Sequence, residues 1–212
     1  MAIEGRKKET LVRGFLRDGT IDPALTGLDL ATAASELIRA ETQRSGADAV
    51  SLARQFVKQA AKISSKAEML AYRALGWALL VTGQYAEAER SYLEARARLV
   101  RQPEERARVD RVLIDVYMYL GKFERAKQCA DRAMRTFRRI KDAAELAKTK
   151  VNYANVLHRQ DRHAEANRLY REAASYFRKQ GNEPATALCY FNQGNTLVQL
   201  FRFAEADRLY TE

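Results

Sequence analysis

A repeated helical pattern is the feature that most constrains this chain. One alanine recurs at Ala88, Ala126, Ala166 and Ala206, at spacings of 38, 40 and 40 residues. An aromatic residue or a histidine precedes it by three positions, and a tyrosine or an alanine follows it by four. Spacings of three and four keep side chains on one face of a helix. The pattern therefore predicts one helix, built four times, that packs through the same face each time.

A second amphipathic stretch precedes each copy of this helix. These stretches are AEMLAYRALGWALLVT, ERARVDRVLIDVYMYL, ELAKTKVNYANVLHRQ and ATALCYFNQGNTLVQL. The residue twelve before the recurring alanine is small or branched, as Gly76, Ile114, Ala154 and Gly194. Because small residues let a neighbouring helix approach closely, we predict that each unit is a pair: helix A, a short turn and helix B.

Residues typical of helix ends stand at the predicted boundaries. Ser65 and Glu68 have the spacing of a capping box before the first A helix. Asp142 is suited to cap the third A helix. Further boundary residues are Pro103 and Pro184 at helix starts, and Gly83 and Gly121 at the ends of A helices.

The half-repeat G-x-[YF]-x-x-A-x-x-x-Y-x-x-A, with its small residue in helix A, resembles the tetratricopeptide repeat (TPR) family over residues 66–212. The usual period of that family is about 34 residues. Arrays with the longer period found here resemble those of kinesin light chains, polarity adaptors, and bacterial regulator or CHAT-protease proteins. The resemblance implies an all-α fold, a right-handed superhelical solenoid of antiparallel helix pairs.

The repeats also predict a domain organisation. Residues 1–28 form an extension with one short helix, KKETLVRGFL, and residues 29–64 form a degenerate capping helix pair. The array at 65–212 then holds full repeats at 65–102, 103–141 and 142–181, and a truncated fourth at 182–212. IEGR at Ile3–Arg6 matches a protease recognition sequence, which chance or a tag-derived N-terminus explains.

The last repeat stops inside its helix B, at FAEADRLYTE. Repeat arrays normally end in atypical units with a polar outer face. We therefore expect the sequence to be the N-terminal fragment of a larger protein. We also expect self-association through its apolar C-terminal end, because two-fold pairing is the commonest closed assembly.

Composition narrows the class of protein. The chain has 212 residues, with only 10 glycines and 3 prolines, which favours long helices. It has no apolar run of the roughly 18 residues that a membrane span needs, and no secretory signal. Cys129 and Cys189 lie in predicted helices and are expected to be buried, reduced thiols, so we predict a cytoplasmic protein. The net charge of +10 favours acidic partners, either peptide or nucleic acid.

In the TPR family the A helices line a concave groove. The resemblance implies that fixed positions of each A helix face this groove and bind a peptide or protein segment. The residues at these positions are Arg73, Trp77, Arg108, Arg111, Asp115, Tyr119, Lys148, Asn152, Asn155, His158, Arg159, Phe191, Asn192, Asn195 and Gln199.

Two asparagine pairs are the sharpest feature of this list. NYAN and NQGN place Asn152 with Asn155, and Asn192 with Asn195, on one helix face. An amide side chain matches the C=O and N–H groups of an extended peptide. The alternative is that these amides bond between A helices, or are solvated.

Basic residues suggest a second element of recognition. Arg108, Arg111, Lys148 and Arg159 would suit a side-chain or C-terminal carboxylate, or they form an ordinary solvated surface. Their pattern does not reproduce the carboxylate clamp of chaperone-binding TPRs. A chaperone adaptor is therefore not predicted.

A basic helix B, DRAMRTFRRIKD, has four arginines that we expect to face outward: Arg132, Arg135, Arg138 and Arg139. They form either a solvated convex face or a surface for RNA. His158 and His163 have no nucleophile partner, and no metal-ligand spacing or phosphate loop occurs. The sequence thus predicts no enzyme and no cofactor. It predicts an interaction module for an extended, acidic protein segment, with RNA association through the basic second half as the alternative.

Overall fold

The alternation of amphipathic stretches and short turns produces eleven helices and no strand within residues 5–211, which are the residues that this computed structural model describes. The IEGR stretch begins outside them. The chain divides into two compact units, Met1–Arg101 and Gln102–Glu212. This division falls between the first and second predicted repeats; the repeat boundaries themselves stay a prediction.

The first unit contains five helices. Its helices are α1 (Gly5–Asp18), α2 (Gly27–Glu41), α3 (Gly46–Ala60), α4 (Ser65–Val81) and α5 (Tyr85–Ala97). Helix α1 packs on α2 and α3, and α4 packs on α2, α3 and α5. Phe15 and Phe56 meet edge to face in the core, with ring centroids 6.3 Å apart.

The second unit contains six helices. They are α6 (Pro103–Tyr119), α7 (Phe123–Arg139), α8 (Ala143–Arg159), α9 (His163–Lys179), α10 (Glu183–Gln199) and α11 (Phe203–Thr211). Their first residues are 20 positions apart throughout, so each pair repeats every 40 residues. Each helix packs against the next, and α6 also packs on α8. The predicted all-α architecture of helix pairs is confirmed.

The turn inside each pair needs a left-handed residue. The residue five before the recurring alanine has positive φ in all four copies, as Gly83, Gly121, Asp161 and Phe201. Glycine adopts this conformation without a steric penalty, whereas other residues carry some strain. The turn is therefore fixed by the packing of the two helices and not by the residue that occupies it.

The helix caps are mostly those predicted. The Asp142 carboxylate accepts from the Glu145 backbone N–H at 2.9 Å, and Pro103 and Pro184 lie in first turns. The prediction for Ser65 is wrong by one residue. The cap is Ser64, whose hydroxyl accepts from the Ala67 N–H at 3.1 Å. Ser64 has the extended backbone that a cap requires, and Ser65 is already helical.

The basic helix α7 differs from expectation at one position. Arg135, Arg138 and Arg139 are exposed. Arg132 instead lies against α6, where its guanidinium pairs with the buried Asp110 carboxylate at 3.1 Å. The reason is that the buried Asp110 carboxylate faces α7, and a buried charge favours an oppositely charged group that can reach it.

Both cysteines are buried, as predicted, and neither forms a disulfide within the described residues. Burial raises the pKa of Cys189 to about 11, which keeps that thiol protonated. Among residues 5–211, no helix is both long and apolar enough to cross a bilayer.

Close packing joins the helices of a pair at the small residue of helix A. A Cβ atom on Gly76 would lie 2.8 Å from the Tyr92 ring, and one on Gly194 would lie 2.5 Å from the Tyr210 ring. In the third pair, Ala154 and Tyr170 lie in the same buried cluster, whereas the second pair has Ile114 and Ala130 at these positions. The tyrosine of helix B thus lies against the backbone of helix A.

The close contact at Gly76 predicts the effect of adding one methyl group. We expect Gly76→Ala to lower the free energy of unfolding by about 1–3 kcal/mol, because the buried Tyr92 ring must move. Urea unfolding followed by circular dichroism measures this. The matched control is Gly14→Ala, since a Cβ at Gly14 in α1 meets nothing within 4 Å. Helix propensity alone should make that control about 0.5–1 kcal/mol more stable. Equal stabilisation of both variants would contradict the close contact.

Candidate functional site

A cavity of about 210 Å³ lies in the second unit, beside the C-terminal halves of the A helices. Its lining combines amides, aromatic rings and one guanidinium. The lining residues are Met118, Tyr119, Asn155, His158, Arg159, Tyr170, Asn192 and Asn195. Six of these eight belong to the predicted groove positions, and they come from α6, α8 and α10.

The asparagines at equivalent positions of α8 and α10 each accept a hydrogen bond from the repeated tyrosine of the following helix B. The Tyr170 hydroxyl donates to Asn155 Oδ1 at 2.6 Å, and the Tyr210 hydroxyl donates to Asn195 Oδ1 at 2.7 Å. Burial raises the pKa of Tyr170, so its hydroxyl keeps the proton that it donates. Because each amide oxygen already accepts one hydrogen bond, most of the capacity that remains on Asn155 and Asn195 is on their N–H groups.

The other two asparagines differ from each other. Asn152 Nδ2 donates to the Arg111 carbonyl at 3.3 Å and to Asp115 Oδ2 at 2.6 Å. Both bonds join neighbouring A helices. Asn152 therefore stabilises the packing of α8 on α6, which is the alternative to peptide binding. Asn192 is half-buried in the cavity wall, and within the described part of the chain its amide makes no hydrogen bond.

Arg159 is the cation of the cavity. Its guanidinium lies 5.4 Å from the centroid of the Tyr119 ring, a cation–π arrangement. Within residues 5–211 no carboxylate pairs with Arg159, and none of the residues that line the cavity carries a carboxylate. The guanidinium N–H groups are therefore available to an anion.

Two of the other predicted groove cations share one carboxylate. Arg111 Nε and Lys148 Nζ both lie 2.9 Å from the Glu145 side chain. Burial opposes ionisation of Glu145, but these two cations outweigh it and lower its pKa. Arg108 is likewise paired, with Glu105 and with Asp142. The positive charge expected from these three residues is thus balanced within the chain.

Asp115 lies beside this network and behaves differently. Its carboxylate accepts from Asn152 and lies near Arg111. Burial raises the pKa of Asp115 to about 7, and the Arg111 charge acts in the opposite direction without cancelling the effect. Asp115 is therefore a half-buried acid that titrates near neutral pH.

The two histidines meet at the turn between α8 and α9. Their Nδ1 atoms are 3.2 Å apart and their ring centroids 5.0 Å apart. His158 lines the cavity, while His163 packs behind it. Burial lowers the pKa of His158, as does the neighbouring His163, so the His158 ring is neutral at neutral pH.

The remaining predicted groove residues lie outside the cavity. In the first unit Trp77 Nε1 donates to Thr42 Oγ1 at 3.4 Å, and Arg39 lies over the Trp77 ring at 5.0 Å. Arg73 is half-buried on the same helix. In the second unit Phe191 is exposed beside Tyr210, with ring centroids 6.0 Å apart, and Gln199 is also exposed.

Met118 and Tyr170 line the cavity but were not among the predicted groove residues. Tyr170 follows the recurring Ala166 by four positions, and that spacing indicated only a packing role. Its hydroxyl at the tip of the ring was the missed signal. Met118 comes directly before the predicted Tyr119, and its apolar side chain gave no indication of a site.

Comparison with known proteins identifies the repeat. The family model described as Tetratricopeptide repeat matches residues 105–179 and 145–212, which together span half of the chain. The model described as TolB amino-terminal domain matches residues 22–116, less than half of the chain. A search of curated proteins gives no match.

Solved structures show the same fold. BtubC (BKLC) from P. vanneervenii is 19% identical, with a TM-score of 0.73 over 97% of this chain and 85% of that chain. The nearly identical TPR-like repeats of a Podosopora anserina protein described as a kinesin light chain are 18% identical, with a TM-score of 0.68 over 85% and 91% of the two chains. The apo form of RapI is 18% identical, with a TM-score of 0.67 over 96% of this chain and 57% of that chain. At these identities the similarity concerns the fold alone.

The raised pKa of Asp115 predicts a pH dependence of stability. The folded-state pKa of about 7 lies above the unfolded value of about 3.9, so the folded state holds the proton more tightly. The contribution of Asp115 is therefore fully present below about pH 4 and is lost as the pH rises through 7. We expect wild type to lose at least about 1 kcal/mol more between pH 5 and pH 8 than Asp115→Asn.

Urea midpoints at the two pH values measure this difference. The exposed Asp131 on α7 supplies the control, Asp131→Asn, which should keep the wild-type pH dependence. If wild type and Asp115→Asn lose stability equally over this range, the carboxyl group of Asp115 does not titrate near neutral pH.

Proposed function

Because the chain belongs to the tetratricopeptide repeat family, we propose that it is a protein-interaction scaffold that binds an extended, acidic segment of a partner protein. The proposed binding site is the cavity between α6, α8 and α10. One observation carries the proposal: the polar groups left available in this cavity are mainly hydrogen-bond donors, and no carboxylate lines it.

The donors follow from the hydrogen bonds already made. The oxygens of Asn155 and Asn195 each accept one hydrogen bond from a tyrosine hydroxyl, whereas both of their amide N–H groups remain available. Arg159 adds guanidinium N–H groups, and the Tyr119 ring holds that cation in place. Such a set matches peptide carbonyls and carboxylates, which are acceptors, and discriminates against ammonium and guanidinium groups.

Asn192 supplies the one complete amide of the site. It offers both an acceptor and donors, so it can pair with the N–H and C=O of an extended peptide backbone. Phe191 precedes it on the exposed side of α10 and offers an apolar surface to a neighbouring peptide side chain. Arg108, Arg111 and Lys148 would have to leave their carboxylate partners to bind a ligand, so we assign them a structural role in the proposal.

We propose no catalytic role and no cofactor. Neither of the two buried thiols, Cys129 and Cys189, forms a disulfide, which favours a reducing compartment, and we propose a cytoplasmic setting.

The test compares two fluorescein-labelled peptide pools by fluorescence polarisation. One pool contains extended hexapeptides rich in Asp and Glu, and the other has Lys and Arg at the same positions. We expect binding of the acidic pool only. Arg159→Ala should weaken it about tenfold or more, since hydrogen bonds to a charged group contribute about 1.5–3 kcal/mol. Asn192→Ala should weaken it about three- to tenfold.

Asn152→Ala is the matched control, because the N–H groups of Asn152 are already used within the chain. We expect this variant to lose stability and to keep its affinity for the acidic pool. Unchanged affinity in both Arg159→Ala and Asn192→Ala would contradict the proposal that this cavity is the peptide-binding site. A labelled single-stranded RNA that binds at physiological salt, while neither peptide pool does, would favour the alternative.

That alternative is RNA association through the basic second half. Three exposed arginines of α7, Arg135, Arg138 and Arg139, favour it. The pairing of Arg132 with Asp110 weakens it, because one of the four expected cations is already neutralised. RNA binding would also depend steeply on salt, since released counterions supply the affinity. We therefore place the peptide ligand first.

Exposed aromatic residues around α11 support a further proposal, self-association with a second copy of the chain. Phe201 and Phe203 are 81% and 59% exposed, and their rings lie 6.2 Å apart. Burial of one large apolar side chain stabilises an interface by about 1.5–3 kcal/mol. A two-fold pairing would bury this surface on both copies.

Phe201→Gly tests the self-association without harming the turn, because glycine suits the positive φ of this position. We expect wild type to form dimers in sedimentation equilibrium, and the variant to dimerise about tenfold more weakly. Val100→Ser, which replaces a 78% exposed apolar side chain of the first unit, should dimerise like wild type. A wild-type protein that remains monomeric at the highest concentration would rule the proposal out.

A further inference from the structure

The only two histidines of the chain contact each other. His158 lies in the last turn of α8 and His163 is the first residue of α9. The short turn between them reverses the chain through Asp161, whose φ is 57°. This reversal brings the two Nδ1 atoms to 3.2 Å, although five positions in the sequence would place the side chains on different faces of a continuous helix.

The distance between these nitrogens suits a shared metal ion. Imidazole nitrogens bind zinc at about 2.0–2.1 Å. Two nitrogens 3.2 Å apart would subtend an angle of about 100° at an ion placed at that distance from both, close to the tetrahedral value. The rings need to turn so that both lone pairs point at the ion. His158 is half-buried at the cavity wall, so one side of its ring borders open space.

Asp161 provides the support that metal-bound histidines usually have. Its Oδ1 lies 3.6 Å from His163 Nε2, the ring nitrogen that faces away from His158. A carboxylate on this side favours the tautomer with the proton on Nε2 and a lone pair on Nδ1. The same carboxylate raises the negative charge next to the ring, which strengthens the nitrogen as a ligand.

We propose that His158 and His163 form a two-histidine site for a borderline divalent transition metal ion, of the class Zn²⁺, Ni²⁺ or Cu²⁺. Imidazole selects these ions, whereas Mg²⁺ and Ca²⁺ prefer oxygen ligands. If the proton of His163 is on Nε2, the proton of the Nδ1–Nδ1 hydrogen bond belongs to His158. When the ion binds, this proton moves to Nε2 of His158. Both rings stay neutral, and no net proton is released. This site is independent of the proposed peptide ligand.

The coordination that the chain itself supplies is incomplete. Within residues 5–211 there is no group of three or more His, Cys, Asp or Glu side chains arranged to hold a metal ion. Two protein nitrogens leave two positions of a tetrahedral ion open. Water or an added carboxylate would fill them, and the affinity should depend on both histidines together.

The experiment uses the untagged protein, because an affinity tag of histidines would mask the site. ZnCl₂ is added at neutral pH, and the imidazole ¹⁵N resonances are followed by NMR. With only two histidines in the chain, the two imidazole signals are assigned by the loss of one signal in each single variant. We expect the Nδ1 signals of both rings to shift together with one equivalent of Zn²⁺, and to remain unchanged with MgCl₂.

The repeat supplies matched variants that preserve packing. Phenylalanine or tyrosine occupies the position of His163 in the other copies, and leucine occupies the position of His158 in the first copy, as Leu80. His163→Phe and His158→Leu should each weaken Zn²⁺ binding at least about tenfold in calorimetry. Glycine stands at the position of Asp161 in two other copies, so Asp161→Gly keeps the turn. It should weaken binding about three- to tenfold and shift the His163 tautomer signals in the metal-free protein.

Different results would contradict the metal site and the role of Asp161. Zn²⁺ binding that survives in the His158→Leu, His163→Phe double variant would overturn the site, as would a wild-type protein whose two rings do not respond to Zn²⁺ or Ni²⁺. Circular dichroism of each variant establishes that it is folded. An unaltered affinity in Asp161→Gly would overturn the positioning role of the carboxylate.

Discussion

In three of the four helix pairs, the contact between the small residue of helix A and the tyrosine ring of helix B determines how closely the two helices pack. At Gly76 and Gly194 there is no room for a single additional carbon atom between the two helices. Because the ring lies this close to the backbone of helix A, its hydroxyl reaches the polar side chains on that helix. In the second unit the hydroxyls of Tyr170 and Tyr210 therefore reach Asn155 and Asn195, one residue beyond the small residue. A packing requirement thus decides which atoms of the asparagines remain for a ligand.

Charge is arranged in two zones along the same A helices. In the first and middle turns of α6 and α8, Arg111 and Lys148 share Glu145, while Arg108 contacts both Glu105 and Asp142. Three cations thus meet three carboxylates there. Toward the helix ends, Arg159 stands without a carboxylate partner among the described residues. The last turn of a helix favours a cation, because the helix dipole places partial negative charge there. The cation that remains available is therefore also the one that the helix itself stabilises, and its position fixes where an acidic ligand would bind.

The sequence predicts the helix pairs because their information is local and repeated. Spacings of three, four and forty residues determine which face each residue occupies, and the helices follow that pattern. The partners of polar side chains are not local. Nothing in the sequence distinguishes Asn152, which bonds to the neighbouring helix, from Asn192, which does not, since both occupy the same position of their repeats. Arg132 turned inward because Asp110, 22 residues earlier, faces it. The cap at Ser64 instead of Ser65 depended on backbone torsions that two adjacent serines do not reveal.

Positions at which one copy departs from the repeat pattern indicate side chains with a role other than packing. The position eight before the recurring alanine is Leu80, Met118 and Val198 in three copies, and His158 in the other. The position three before it is aromatic in three copies, and His163 in the same copy. Apolar residues satisfy both positions elsewhere, so packing alone does not require an imidazole at either one. The two departures contact each other, and each ring gives the other a polar partner that an apolar residue could not provide. A buried polar group without a hydrogen-bond partner lowers the stability of the fold. Either histidine alone would therefore destabilise the turn, whereas the two together form a hydrogen bond with each other. The two substitutions are therefore best understood as one feature of the molecule, placed at the wall of the cavity that the asparagines and Arg159 define.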